Sequence, residues 1–285
     1  MKKRKKIKDK DELADKNLDY SLDDILEKID SEIKEYENEF FINDEYNDNM
    51  REEALRFARR ALRLNRHDLE AELIITEITS TSLMDFIKKL EKLIKKGEKA
   101  LQSVYHIEEK DKGHYWEILE TRPYLLVRIK YVEALMSASM HRKAARELEE
   151  IIALSKKDNI GARYKLITIY AILEEYEKAE ELFKKYKEET VHMLLPMAFM
   201  NFKRQNYVKS KNLIKKLAKV NENTERFFDM IQMGDVELLS DEDAITGYTL
   251  NSLDEYINAF NENVNLYADG IIFAEYAISV LEQNK

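Results

Sequence analysis

Between residues 127 and 223 one pattern occurs three times: an apolar helix, a short charged turn, and a Lys-rich amphipathic helix. The copies are VRIKYVEALMSASMHRKAARELEEIIALSKKDN (127–159), ARYKLITIYAILEEYEKAEELFKKYKEET (162–190) and LLPMAFMNFKRQNYVKSKNLIKKLAKVNEN (194–223). A small residue follows each turn at one place: Ala144, Ala179 and Ser210. Four residues beyond stand Leu148, Phe183 and Ile214, and three residues before the last two stand Tyr176 and Tyr207. A recurring supersecondary unit constrains a fold strongly, because one such unit cannot bury its apolar face without a neighbour.

Turn residues point the same way. The 285 residues include only 6 Gly and 2 Pro. A β-sandwich or an α/β enzyme of this length needs many more of them, whereas long helices joined by short polar loops do not. Hydrophobic residues at 44% and charged residues at 36% suit amphipathic helices with a buried core.

The repeats resemble the tetratricopeptide repeat, a helix–turn–helix unit of about 34 residues. In the middle copy Leu166, Tyr170, Tyr176, Ala179 and Phe183 fall at that pattern's large and small packing positions. The small residue lets the two helices of a hairpin approach, and the large ones fill the groove between hairpins. The pattern's glycines and its terminal proline are missing, and the third copy is four residues short. The segment REEALRFARRALRLNRHD (51–68) looks like the second helix of a degenerate earlier repeat, with Ala54 at the small position, while 69–105 fits the repeat poorly. ETRPY (120–124), Arg128, DNIGARY (158–164) and ITGYTLNSLDEYINAF (245–260) together resemble an uncharacterised bacterial group of tetratricopeptide-like proteins with a Glu-Thr-Arg-Pro-Tyr motif. That resemblance covers roughly 110–285; it implies a fold and supplies no reaction.

The expected architecture is an all-α solenoid of antiparallel helix pairs. Residues 1–20 are read as a disordered basic tail, 21–112 as N-terminal helices, 113–223 as the repeats, and 224–285 as a helical cap for the solenoid's open end. A helix is expected over 22–41, a second after the polar break 41–49 with Asn49 as its cap, then helical periodicity in 69–80 and 83–105 with Gly97 as an interruption. EEKDKGH (108–114) reads as a charged loop. Two C-terminal helices are expected to break near Asp269-Gly270.

Several function classes drop out. With no Cys there is no disulfide or zinc–thiolate site. The five His lack metal-binding spacing, and no Gly-rich phosphate loop or Gly-x-Ser-x-Gly elbow is present. Acidic pairs such as Glu149-Glu150 fall on helix surfaces about 100° apart. No catalytic residue, metal ligand or cofactor site is therefore assigned. The longest apolar run, TVHMLLPMAFMNF (190–202), is too short for a bilayer span of about 20 residues. The start MKKRKKIKDK is not followed by an apolar stretch, so a cytoplasmic protein is expected. Its first ten residues carry seven Lys/Arg and one Asp against a chain total of −9. The acidic body argues against nucleic acid as a partner, although the tail offers a small basic patch.

The remaining candidates form a binding surface. In ETRPY, Thr121 is expected to cap a helix that Pro123 starts. Glu120, Arg122 and Arg128 flank it, and the planar fork of Arg suits a carboxylate. Asp158-Asn159 reads as a second helix cap. Arg163 reads as the partner of Glu120 or Glu133, or as an anion receptor. In tetratricopeptide arrays the first helix of each hairpin lines a concave groove. The resemblance places Ile129, Glu133 and Met136 there, then Tyr164, Thr168 and Ala171, then Leu195, Phe199, Phe202 and Lys203; a Met or aromatic stripe at helical spacing reads at least equally as core. The chaperone-tail clamp of that family needs Lys and Asn at positions that here hold Ile129, Glu133, Tyr164 and Thr168. The resulting expectation is a non-catalytic scaffold or adaptor that holds a protein segment. A peptide-sensing regulator and an RNA-associated factor using the tail are the alternatives.

Overall fold

The computed structural model describes residues 44–234, 249–261 and 270–283. The predicted basic tail and the predicted helix over 22–41 lie outside the described residues, as does much of the C-terminal segment that joins the cap helices. The chain divides into two compact units, 1–57 and 58–285. The described part of the first is the beginning of helix α1 (Asp44–Leu64). That helix starts at Asp44, and Asn49 lies inside it instead of capping it.

The second unit is built from helix pairs. They are α2 (Leu69–Thr79) with α3 (Leu83–Ser103), α4 (Arg122–Ser137) with α5 (His141–Leu154), α6 (Ala162–Ile172) with α7 (Tyr176–Tyr186), and α8 (Val191–Lys203) with α9 (Tyr207–Val220). Helices α10 (Thr224–Met233), α11 (Leu253–Asn261) and α12 (Ile271–Glu282) follow. Among the described residues there is no strand beyond isolated bridges at Gly113, His114 and Ser155.

Cross-pair contacts show that the pairs run antiparallel. In the first, Lys96 reaches Glu72 and Lys89 reaches Thr79. In the third, the Arg163 guanidinium lies 5.2 Å from the Tyr186 ring. In the fourth, the Ser210 hydroxyl donates to the Ala198 carbonyl at 2.9 Å. Residues 69–103, which fit the repeat poorly as sequence, thus form a pair like the others.

The three repeat turns share one geometry. Ser139, Glu174 and Gln205 have φ of 55°, 57° and 61°, each five residues before the small residue of its copy. The next amide donates five residues back: Met140 to Leu135 at 2.8 Å, Glu175 to Tyr170 at 2.9 Å, Asn206 to Asn201 at 2.9 Å. This is the helix ending that glycine ordinarily serves. Here non-glycine residues occupy the left-handed region, at a cost of roughly 1–2 kcal/mol each. Ala144, Ala179 and Ser210 are fully buried, as the close approach of paired helices requires.

Gly97 does not interrupt its helix. α3 runs through it, and a Cβ there would stand 2.9 Å from Leu69 Cδ1 and 2.9 Å from Tyr124 Cδ2. The glycine is where α2 and α4 press against α3. The charged loop 108–114 is also ordered. Glu108 and Asp111 cap a short turn, and Gly113, at φ 102°, accepts from the Lys156 amide and donates to the Leu154 carbonyl, both at 2.9 Å.

Candidate functional site

The predicted surface residues separate into three environments. The first surrounds Pro123, the second residue of α4. Thr121 does not cap the helix with its side chain. It has helical φ and ψ, and its hydroxyl donates backwards to the carbonyls of Ile118 and Tyr115. Trp116 lies in a short turn and packs half-buried on the core. The Arg122 guanidinium lies 5.3 Å from the Trp116 ring centre and donates to the Trp116 carbonyl at 2.8 Å. Arg128 is buried and bonded to Glu147 at 2.5 Å, with its guanidinium against the Tyr124 ring. Burial pushes the Tyr124 phenol up to about 12, with Arg128 pulling the other way. Glu120 is exposed on the turn Leu119–Thr121. Arg122 and Arg128 are thus committed within the fold.

The second environment is a polar node where α6, α7 and α8 meet. Asp158 accepts from the Ala162 and Arg163 amides at 2.8 and 2.9 Å, so it caps α6, while Asn159 does not share that role. Arg163 pairs with Asp158 and Glu188, both at 3.0 Å, and not with Glu120 or Glu133. It stacks 4.1 Å from the Tyr164 ring centre. The Tyr164 hydroxyl donates to Glu188 at 3.0 Å, and its ring lies 5.4 Å from that of His192. Burial opposes the Arg163 charge, but the bonds to Glu188 and Asp158 outweigh it and hold the guanidinium above the ordinary arginine range. One cation faces two carboxylates here, which ties the start of α6 to the segment after α7. The sequence reading lacked Glu188, which is 25 residues away across the hairpin.

The third environment is the face formed by the first helix of each pair, and it changes along the molecule. At its C-terminal end it is closed. Every residue of α8 from Val191 to Asn201 is buried. Phe199 meets Phe273 of α12 edge-on at 5.1 Å, and Phe202 meets Phe273 and Tyr276 at 5.4 and 5.0 Å. His192 bonds Asn258 of α11 at 3.0 Å. Thr168 is also fully buried and bonds the Tyr164 carbonyl. The expectation that Thr168, Phe199 and Phe202 line an open groove is therefore corrected: α12 of the chain itself packs on Phe199 and Phe202, and the Thr168 side chain is fully buried. A helix apolar all round must be covered. Lys203 remains exposed and pairs with Glu174 at 2.9 Å.

A buried polar knot holds this closure in place. Glu255 of α11 is 2% exposed and accepts from Asn221 Nδ2 and the Asn251 amide, both at 3.0 Å. Thr224 and Tyr256, both buried, share a 2.6 Å hydrogen bond. Nothing in the sequence pattern marked Asn221 or Glu255 as interior residues.

At its N-terminal end the same face is open. A cleft of about 260 Å³ is lined by Glu77 of α2, Leu83 and Phe86 of α3, and Lys130, Glu133, Ala134 and Ser137 of α4. Its floor is apolar and its rim alternates in charge. Lys130 lies 3.8 Å from Glu77 and 3.6 Å from Glu133, and Glu133 lies 3.8 Å from Lys165 of α6. The ladder Glu77–Lys130–Glu133–Lys165 crosses the first helices of three successive pairs. Pairs this long and exposed are each worth about 0–1 kcal/mol. The opposite side is tied more closely. Lys143, Lys178 and Lys209, each one residue before a buried small residue, reach back to Glu91, Glu149 and Glu180 on the preceding second helix. Tyr131 and Tyr170 add hydrogen bonds to Glu91 and Glu149 at 2.8 and 2.7 Å.

No protein-family model matches the chain, and no curated protein matches it in sequence. Among the described residues no helix is long and apolar enough to cross a membrane.

Proposed function

We propose that this chain is a non-catalytic adaptor of the tetratricopeptide-like kind, which holds a segment of a partner protein against its first-helix face. The observation that supports this is the contrast along that face. Where α8 would present a groove, α11 and α12 fill it. Where α2, α3 and α4 meet, a cleft with an apolar floor and an ion-pair rim stays open. Peptide-binding clefts combine these elements: apolar contacts supply affinity and a few placed charges set orientation. The segment would lie across α2, α4 and α6, with Phe86 as its apolar anchor and Glu77, Lys130, Glu133 and Lys165 as its polar register.

The test is partner capture with the tagged full chain, followed by mass spectrometry. A partner held by the wild-type chain and lost with the Phe86→Ala/Glu133→Lys double variant supports the reading. A full set of partners retained by that variant, with a normal melting curve, would sink it. Loss only on deletion of residues 1–10 would move the activity to the basic tail and favour the RNA-associated alternative.

A further inference from the structure

We infer that the outer face of α3, together with the end of α1, docks on the surface of an anionic lipid bilayer. This does not rest on the reading of the first-helix cleft. In α3, Lys88, Lys92, Lys95 and Lys99 recur at helical spacing. At about 100° per residue they share an arc of about 60°. All four are exposed, and they lie opposite the buried residues Leu90, Leu93, Gly97 and Leu101. The end of α1 and the turn after it carry four exposed arginines, Arg59, Arg60, Arg63 and Arg66. Asn65, just before Arg66, donates to the Tyr105 hydroxyl beyond α3 at 3.5 Å, so the two basic runs come together at that end. On the flank of α3, Lys89 and Lys96 are paired with Asp85 and Glu72. Among the described residues none of the eight bases of the two runs has an ion pair. Lys95 exerts only the least of the pulls on Glu91, a carboxylate already held by Lys143 and Tyr131.

The occupant is anionic, and the neighbours of the bases decide its kind. Met84 stands one turn before Lys88 on the same stripe and is 46% exposed. Leu64 stands one turn after Arg60 and is 66% exposed. Each basic run thus carries a large apolar side chain in line with its cations. A bilayer surface takes the two together: the cations sit among the headgroups, and the apolar side chains enter the acyl boundary. A nucleic acid would take the cations through its phosphates and leave Met84 and Leu64 in water. Unpaired bases stack on aromatic side chains. There is no aromatic residue from Arg59 to Arg66, and the one between Met84 and Lys99, Phe86, lines the cleft on the other side of α3. The exposed Glu98 lies about a quarter-turn away from the stripe. Because Leu83 and Phe86 point away from the lysines, the cleft stays open while α3 lies on a membrane.

The test is flotation of the full chain with vesicles of phosphatidylcholine alone, and of phosphatidylcholine with about one third phosphatidylserine. The chain should float with the anionic vesicles, stay in solution with the neutral ones, and be released as salt is raised. Replacing Lys88, Lys92, Lys95 and Lys99 by Gln should weaken anionic-vesicle binding by about thirtyfold or more, since each base near the surface is worth about fivefold. Met84→Ser with Leu64→Ser should weaken it by about threefold to tenfold. Both variants should melt with the wild type, because the changed side chains are exposed. A third variant, with Lys2, Lys3, Arg4, Lys5 and Lys6 replaced by Gln, removes most of the tail's charge and should keep the binding that depends on α3. Equal binding to neutral vesicles, undiminished binding by the lysine or the apolar variant, or complete loss in the tail variant would overturn the assignment. Poly(U) or polyglutamate bound through the same lysines, without flotation, would also overturn it and give the surface to a nucleic acid or an acidic protein. Partner capture with Phe86→Ala/Glu133→Lys tests the cleft separately, since that variant leaves the basic runs intact.

Discussion

The first helix of the second pair, α4, and the first helix of the fourth, α8, follow the same hairpin pattern and meet opposite fates. α4 carries Lys130 and Glu133 on one side and leaves that side half-exposed at the mouth of a cleft. α8 is VHMLLPMAFMNFK, with one Lys at its end and eleven consecutive buried residues, Val191 to Asn201. A repeat array can leave a first helix open only if that helix has a polar stripe. Without one, the apolar face must be covered, at about 25 cal/mol per Å² of apolar surface removed from water. In this chain α11 and α12 do the covering.

The contrast can be broken most forcefully on its closed side. Phe273 touches Phe199, Phe202 and Phe228 and is 2% exposed. Phe273→Ala should lower stability in urea unfolding by about 3–5 kcal/mol. A loss below about 1 kcal/mol would mean that the C-terminal helix is not part of the core. Next comes the polar node. Arg163→Met leaves the fully buried Asp158 side chain and Glu188 without their cation, and about 3 kcal/mol should be lost. Arg142→Ala, at a side chain 74% exposed, should stay within about 0.5 kcal/mol. Equal effects of the two would deny the node its structural role.

Smaller effects sharpen what the two regions share. If the repeat turns are equivalent, Ser139→Gly beside the open face and Gln205→Gly beside the closed one should each stabilise by about 0.5–1 kcal/mol, because glycine relieves the left-handed strain. A stabilisation at one turn and a loss at the other, read from denaturant midpoints, would show that the shared geometry hides different constraints. The smallest effect belongs to the Glu91 clasp on the open half. Hydrogen bonds from Lys143 and then Tyr131 hold its carboxyl below the ordinary value of 4.5. A depressed carboxylate adds stability above its unfolded value, and loses it as the pH falls through the folded one. Glu91→Gln should therefore be slightly less stable than the wild type at pH 7, and the two should converge as the pH drops below about 4.5. A difference that persists at pH 3 would trace to packing and not to charge.

Much of the frame was legible. The 3.6-residue periodicity placed α2 and α3 to within two residues, and the small residues Ala144, Ala179 and Ser210 all proved fully buried. The cap at Asp158 was also read correctly, since a side chain that accepts local amides acts through sequence neighbours. The partners of Arg163 were not legible. Glu120 and Glu133 were the acids expected, and Glu188 is the one the hairpin delivers. Gly97 was read as a helix interruption because glycine lowers helix propensity. Its actual role depends on Leu69 and Tyr124 arriving from two other helices.

The sequence by itself determined the helices, their pairing in hairpins and the small-residue contacts, because these depend on spacing within a few turns of chain. Only the tertiary structure decided which first-helix face stays open. That outcome depends on where α11 and α12 settle, through Asn258 on His192 and through Phe273 on Phe199 and Phe202. These contacts join residues some 66 to 74 positions apart. An apolar stripe looks the same in sequence whether a partner or the chain itself will cover it, because burial is non-directional and rewards either.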